Sequence, residues 1–303
     1  MVWDRFNAGT DMKPLAVYSP GQVFSNDPPD FSSVGYRFLA EGDSWFSIGT
    51  LNPAKNSNLL FEMVFSQWAG AVNCASPGDT LGHMCEMNGD PDFTDLLVGR
   101  RARIWDALLV SCGGNDLIDA FGARGDGVLP DKRLLLNQAE WGGAELGPAR
   151  YLSDAGWQTF CNYMRANLDH MVGLRDRGPS KGVPLFLHGY AYPTPRPAGA
   201  GMKFGPWLYP ALVAYGVPVD AYIPLAQLLI ARFAELMSGC AANTTRYPNV
   251  HFFDSRQVAV EPAALGSTGE SGDWVNEIHL GWRGYEKIAV PWAAAIEQVL
   301  AQR

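Results

Sequence analysis

The chain is short of lysine and arginine. Its 23 basic residues are scattered among 31 acidic ones, for a formal charge of -8, whereas binding a phosphate backbone needs basic side chains gathered on one face. No nucleic-acid partner is expected. Neither Gly-x-Gly-x-x-Gly nor a Gly-Lys-Ser phosphate loop occurs, so no nucleotide cofactor is expected either. The five cysteines, Cys74, Cys85, Cys112, Cys161 and Cys240, are odd in number, widely spaced and without a Cys-x-x-Cys pair. That pattern suits reduced, mostly buried thiols. His83 and Cys85 are too few to hold a metal without partners that the sequence does not supply, so no metal is expected. Met1 to Asn7 lack the basic start and continuous apolar core of a signal peptide, and no run approaches the roughly 18 apolar residues of a membrane span. The expectation is a cytoplasmic protein with no membrane span. Its oligomeric state is not legible.

What is present is a chain rich in turns. Its 303 residues are 47% hydrophobic and 18% charged, with 33 Gly and 21 Pro, which reads as a single globular domain with loop insertions. Five short apolar runs stand out as strands: 36–40, 71–74, 107–111, 183–187 and 250–253. Helical spacing marks 58–68 with Ser57 as cap, 151–177 capped by Ser153 or Asp154, 220–237 stopped by Gly239, and 282–302 with a kink at Pro291. Strands alternating with helices predict an α/β fold. The expected form is doubly wound and flavodoxin-like, a three-layer α/β/α arrangement around a central parallel five-stranded sheet. Residues 1–35 read as an irregular arm. Residues 117–150 and 190–218 read as loop insertions near the active site, the second carrying Phe204, Trp207, Tyr209 and Tyr215 over a cleft.

Each strand runs into a polar turn, and in a parallel sheet those turns share one edge. The first is Gly42-Asp43-Ser44. A serine on a sharp turn at a strand's end keeps its hydroxyl free for a partner, but it needs a base to take its proton as it attacks. His279 stands just before the last helix, in Asp273-Trp274-Val275-Asn276-Glu277-Ile278-His279, where an imidazole can swing over the strand ends. The second turn holds Gly78, in Ser76-Pro77-Gly78-Asp79-Thr80, and the third Asn115, in Gly113-Gly114-Asn115-Asp116.

In these four stretches, taken in order, the chain resembles the SGNH or GDSL hydrolase superfamily. The resemblance implies Ser44 as nucleophile and His279 as general base. It implies an oxyanion hole made by the N–H of Ser44, the N–H of Gly78, where glycine would allow a close backbone approach, and the side-chain amide of Asn115. Neutral donors of this kind suit a carbonyl that becomes an oxyanion. The implied activity is hydrolysis of acyl esters, short-chain or acetyl esters of sugars or lipids, through an acyl-Ser44 intermediate. The alternatives are an acyltransferase or thioesterase on the same site, or a non-catalytic carbohydrate- or lipid-binding member.

Two positions depart from the family pattern. Asn276 stands where the family places an aspartate three residues before the histidine. It is the orienting neighbour by spacing, with Asp273 as the nearest carboxylate able to supply the missing charge, directly or through Asn276; Glu277 is a second carboxylate nearby. Trp45 replaces the leucine of the name-giving motif and either packs beneath the turn or lines the acyl pocket. His188, Tyr190 and Tyr192 follow the fourth strand as candidate cleft residues, and Asp43 and Asp116 are expected to brace their loops.

Overall fold

The computed structural model describes residues 11–49, 56–86, 88–89, 91–201 and 204–303. Its strands are β1 (Lys13–Pro14), β2 (Ala16–Tyr18), β3 (Tyr36–Gly42), β4 (Val64–Phe65), β5 (Ala69–Asn73), β6 (Ala107–Ser111), β7 (Leu185–His188) and β8 (Val250–Phe253). The helices are α1 (Pro20–Val23), α2 (Ser44–Ser47), α3 (Leu81–Met84), α4 (Pro91–Leu97), α5 (Gly114–Gly122), α6 (Asp154–Arg177), α7 (Tyr209–Ala214), α8 (Tyr222–Ala242) and α9 (Trp282–Leu300). Six strands form one sheet in the order β2-β5-β3-β6-β7-β8, and every neighbouring pair is parallel. Helices cover both sides of it.

Coverage on both faces is why the inner strands are unbroken apolar runs rather than alternating ones. Phe38, Leu39 and Ala40 of β3 and Leu108, Leu109 and Val110 of β6 are fully buried. After β3 the chain turns to β5 on one side, and after β6 it turns to β7 on the other. The crevice beyond the carboxyl ends of β3 and β6 is therefore the switch point where open α/β sheets place their ligands. Ser44 follows β3 there, and Asn115 follows β6.

The sheet has one strand more than expected. From residue 11 the N-terminal arm is ordered: β2 pairs with β5 at the sheet edge, β1 pairs antiparallel with β4, and Ser19 caps α1; residues 1–10 lie outside the described residues. Two- and three-residue strands are too short to show a period. The predicted helix over 58–68 is instead a 3₁₀ turn at Leu60–Glu62 followed by β4. Asn58 accepts the N–H of Phe61 while donating to the Ile48 carbonyl, and Ser57 donates to the carboxylate of Glu62 at 2.5 Å, so the polar side chains that promised a helix cap close a turn.

Gly239 does not stop α8, which runs on to Ala242. A helical glycine costs about 1 kcal/mol, and burial of Leu236, Met237 and Cys240 around it outweighs that. The same helix corrects the expectation about long apolar runs, because Val219–Ala242 is long and apolar enough to cross a membrane. Here Leu225, Leu229, Phe233 and Met237 are buried in the core instead. The 117–150 excursion starts as α5 and continues in 3₁₀ turns, held by Arg133, which donates to both carboxylate oxygens of Glu140 at 2.7 Å.

Candidate active site

Ser44 is the first residue of α2, so its N–H has no acceptor inside the helix. Asp43 fixes the turn. One carboxylate oxygen accepts the N–H of Trp45 at 2.9 Å and the hydroxyl of Ser111 at 2.8 Å, and the other accepts the hydroxyl of Tyr190. β3, β6 and the segment after β7 are thereby tied to the residue next to the serine. Burial pushes the Asp43 carboxyl up to about 6, with the three hydrogen bonds opposing it.

His279 meets Ser44 from the far end of the chain. Its Nε2 lies 2.8 Å from the Ser44 Oγ and its Nδ1 lies 3.0 Å from the Asn276 Oδ1. The same Oδ1 accepts the N–H groups of Ile278 at 3.1 Å and His279 at 2.9 Å. Two backbone N–H groups converge only on an oxygen, so the amide orientation follows from its partners. Nδ1 must then carry the proton, and Nε2 presents its lone pair to the Ser44 hydroxyl. Burial lowers the His279 pKa to about 3, which keeps the ring neutral and able to accept a proton.

Trp45 packs under the turn and reaches a cavity. Its indole N–H donates to the Ile278 carbonyl at 3.1 Å, its ring packs against His188, Tyr190 and Tyr285, and it borders the cavity beside Ser44. Asn115, in the first turn of α5, donates one amide N–H to the Asp79 carbonyl at 2.9 Å, leaving its second for a ligand. Gly113 caps that helix with φ at +92°, and a Cβ there would come within 2.5 Å of the Phe233 ring. Asp116 accepts the N–H of Leu81 at 3.0 Å, so both aspartates brace loops as expected. Gly78 lies on the turn that Asn115 holds, exposed and not among the cavity's lining residues. Its φ of +92° is a conformation that favours glycine, and nothing lies within 4 Å of an added Cβ.

Asp273 is not brought to the imidazole. Its carboxylate accepts the Lys287 ammonium and the Glu261 N–H, each at 2.6 Å, because this part of the loop runs along α9. His188 is also displaced from the expected cleft: it is buried against Trp45, Phe46 and Trp292. Tyr190 lines the cavity, while Tyr192 sits by Arg256. His83 pairs with Asp79 at 2.7 Å, and Cys85 turns to the Asn167 carbonyl. Among the described residues no three side chains are grouped to hold a metal. All five cysteines are free and buried.

Two supports of the histidine loop escaped the sequence reading. Glu277, in sequence only a carboxylate near the histidine, is fully buried and accepts the N–H groups of Trp207, Leu208 at 2.9 Å, Tyr209 at 2.8 Å and Arg196 at 3.1 Å. Burial raises its pKa and these four bonds oppose the rise. Arg196, also fully buried, donates to the Asn276 carbonyl at 2.8 Å and to the Ser267 hydroxyl at 3.0 Å. Together they lock Arg196 and the stretch 207–209 onto the histidine loop, and the Trp207 ring stands edge-on to the His279 ring at 5.1 Å. Nothing in the proline- and glycine-rich sequence around Arg196 signals this, since its partners lie about eighty residues away.

No family model matches the chain, and no curated protein matches it. Solved structures with a similar fold include an extracellular lipase from Streptomyces rimosus, at 14% identity and a TM-score of 0.47 over 86% of this chain and 99% of that one. A carbohydrate acetylesterase from Sinorhizobium meliloti is 10% identical with a TM-score of 0.39, over 87% and 99% of the two chains. The aryl esterase of M. smegmatis is 12% identical with a TM-score of 0.40, over 87% and 99%. Lipases and esterases thus recur among them, but such identities are too low to carry a residue's role from one chain to another.

Proposed function

We propose that the protein is a serine carboxylic-ester hydrolase that works without a cofactor. The observation that carries this reading is the 2.8 Å contact between Ser44 Oγ and a neutral, buried His279 whose other nitrogen is held by Asn276. Ser44 attacks the ester carbonyl and its proton passes to Nε2 of His279. The Ser44 N–H, the Gly78 N–H and the Asn115 amide receive the oxyanion, where each donor contributes about 3 kcal/mol to lowering the barrier. Collapse of the tetrahedral intermediate expels the alcohol, which takes the proton from His279. Water, deprotonated by His279 in turn, then releases the acid and regenerates Ser44.

The test is covalent labelling with a fluorophosphonate together with turnover of p-nitrophenyl acetate. Labelling mapped to Ser44 by mass spectrometry, and lost with turnover in Ser44→Ala, is the expected result. A folded wild type that is neither labelled nor active would refute the reading.

A further inference from the structure

We propose that the cavity beside Ser44 is an acyl slot selecting aliphatic acyl groups longer than acetyl, with Ile118 of α5 and Ala226 of α8 setting the length it accepts. This rests on the ester-hydrolase reading above and specifies its substrate. The cavity is narrow and its walls are mostly apolar. Ser44 and Asn115 border it, and the walls beyond them come from Leu117 and Ile118 on α5 and from Ala226, Leu229 and Ile230 on α8.

Apart from the Ser44 and Asn115 donors assigned to the oxyanion, the polar side chains near the serine are already engaged. Asp43 accepts three hydrogen bonds, and the Tyr190 hydroxyl is held between Asp43 and the Gly114 N–H. Among the described wall groups, the indole N–H of Trp274 is a buried donor without a partner, one donor where a polyol would need several partners. A sugar placed here would leave buried hydroxyls unpaired, at a cost that an alkyl chain does not meet.

Chemistry fixes which half of the ester enters. The departing alcohol takes its proton from His279 Nε2, so its oxygen must lie on the histidine side, beneath Trp207. His279 and Trp207 themselves do not line the slot, although their neighbours Ile278 and Leu208 close one side of it, whereas Ser44 and Asn115 open onto it. The group that extends between α5 and α8 is therefore the acyl chain. Ala226, buried in the wall, leaves room that a larger side chain would fill.

The experiment measures kcat/KM on p-nitrophenyl esters from acetyl to dodecanoyl below their micelle concentrations, and on a matched series of alkyl acetates. Wild type should gain about fourfold per added acyl methylene until the slot is filled, the equivalent of about 0.8 kcal/mol per buried CH₂, and should show no such rise along the alkyl acetates. Ala226→Phe and, from the other helix, Ile118→Phe should each lower the octanoyl-to-acetyl ratio tenfold or more; either serves if the other does not fold. A flat acyl profile, or a rise along the alkyl acetates instead, overturns the slot assignment while Ser44 labelling still upholds the hydrolase reading. Absence of both turnover and labelling overturns the two together.

Discussion

The Oδ1 of Asn276 lies 3.0 Å from the Nδ1 of His279 while accepting the N–H groups of Ile278 and His279. That oxygen does for orientation what a carboxylate would do, and it does nothing for charge. In the Ser-His-Asp proteases an asparagine in place of the acid costs about 10⁴-fold in kcat because the imidazole takes the wrong tautomer. Here the two backbone donors hold the amide oxygen toward the ring. What is missing is only an anion beside the imidazolium formed during attack.

Asn276→Asp should supply it. The carboxylate would keep the same three donors and favour the protonated ring, so the His279 pKa should rise from about 3 by about 1 to 3 units. The acid limb of kcat/KM should move to higher pH by the same amount, and the plateau should rise on the order of 10²-fold, less than the full factor because the tautomer is already correct. A pH–rate profile of both enzymes on one p-nitrophenyl ester reads both effects. An unshifted acid limb would mean that position 276 does not touch the base.

Asp273→Asn provides the contrast. Its Oδ2 is engaged by Lys287 and the Glu261 N–H, and both ring nitrogens of His279 bond elsewhere, so the acid limb of kcat/KM should stay where it is in wild type. Lys287 is partly exposed although Asp273 is buried, and the asparagine keeps an acceptor for the Glu261 N–H, so the loss is confined to the ion pair. The urea midpoint should fall modestly. An acid limb that moved with Asp273 would instead identify it as the charge behind the histidine.

Why Ser44 and His279 were legible while Glu277 and Arg196 were not follows from the range of their partners. A glycine turn after an apolar run marks a strand's end locally, and a parallel sheet collects such ends on one edge. A buried arginine bonded to the Asn276 carbonyl, or a glutamate taking four backbone N–H groups, is defined only once distant loops meet. Leu59, Leu60, Met63 and Val64 misled for a different reason: their spacing suits a helix, yet a 3₁₀ turn followed by a strand buries the same side chains.

Asn115→Ala tests the oxyanion assignment. One donor removed from such a site costs about 10²- to 10³-fold in kcat, with KM little changed, because the amide N–H gains its partner as the carbonyl oxygen becomes negative. Asn115→Asp should be at least as damaging, since it puts an anion where the oxyanion forms. Steady-state kinetics of both variants decide it. A loss confined to KM would place Asn115 in ground-state binding only.

His188 gives a prediction about stability rather than rate. It is buried among Trp45, Phe46 and Trp292, its Nδ1 donates to the Gly189 carbonyl at 2.6 Å, and its Nε2 has no partner. Burial lowers its pKa to about 4, whereas the unfolded chain titrates near 6.5. Between those values the unfolded state binds more protons, so the contribution of His188 is complete above pH 6.5 and is lost as the pH falls toward 4. A shift of that size corresponds to about 3 kcal/mol. In urea unfolding, wild type should therefore lose about 3 kcal/mol relative to His188→Phe between pH 7 and pH 4. The other titrating groups, His279 and Asp43 included, are common to both proteins and cancel in the difference. A difference that stays constant with pH would show that the ring is not held neutral in the folded core.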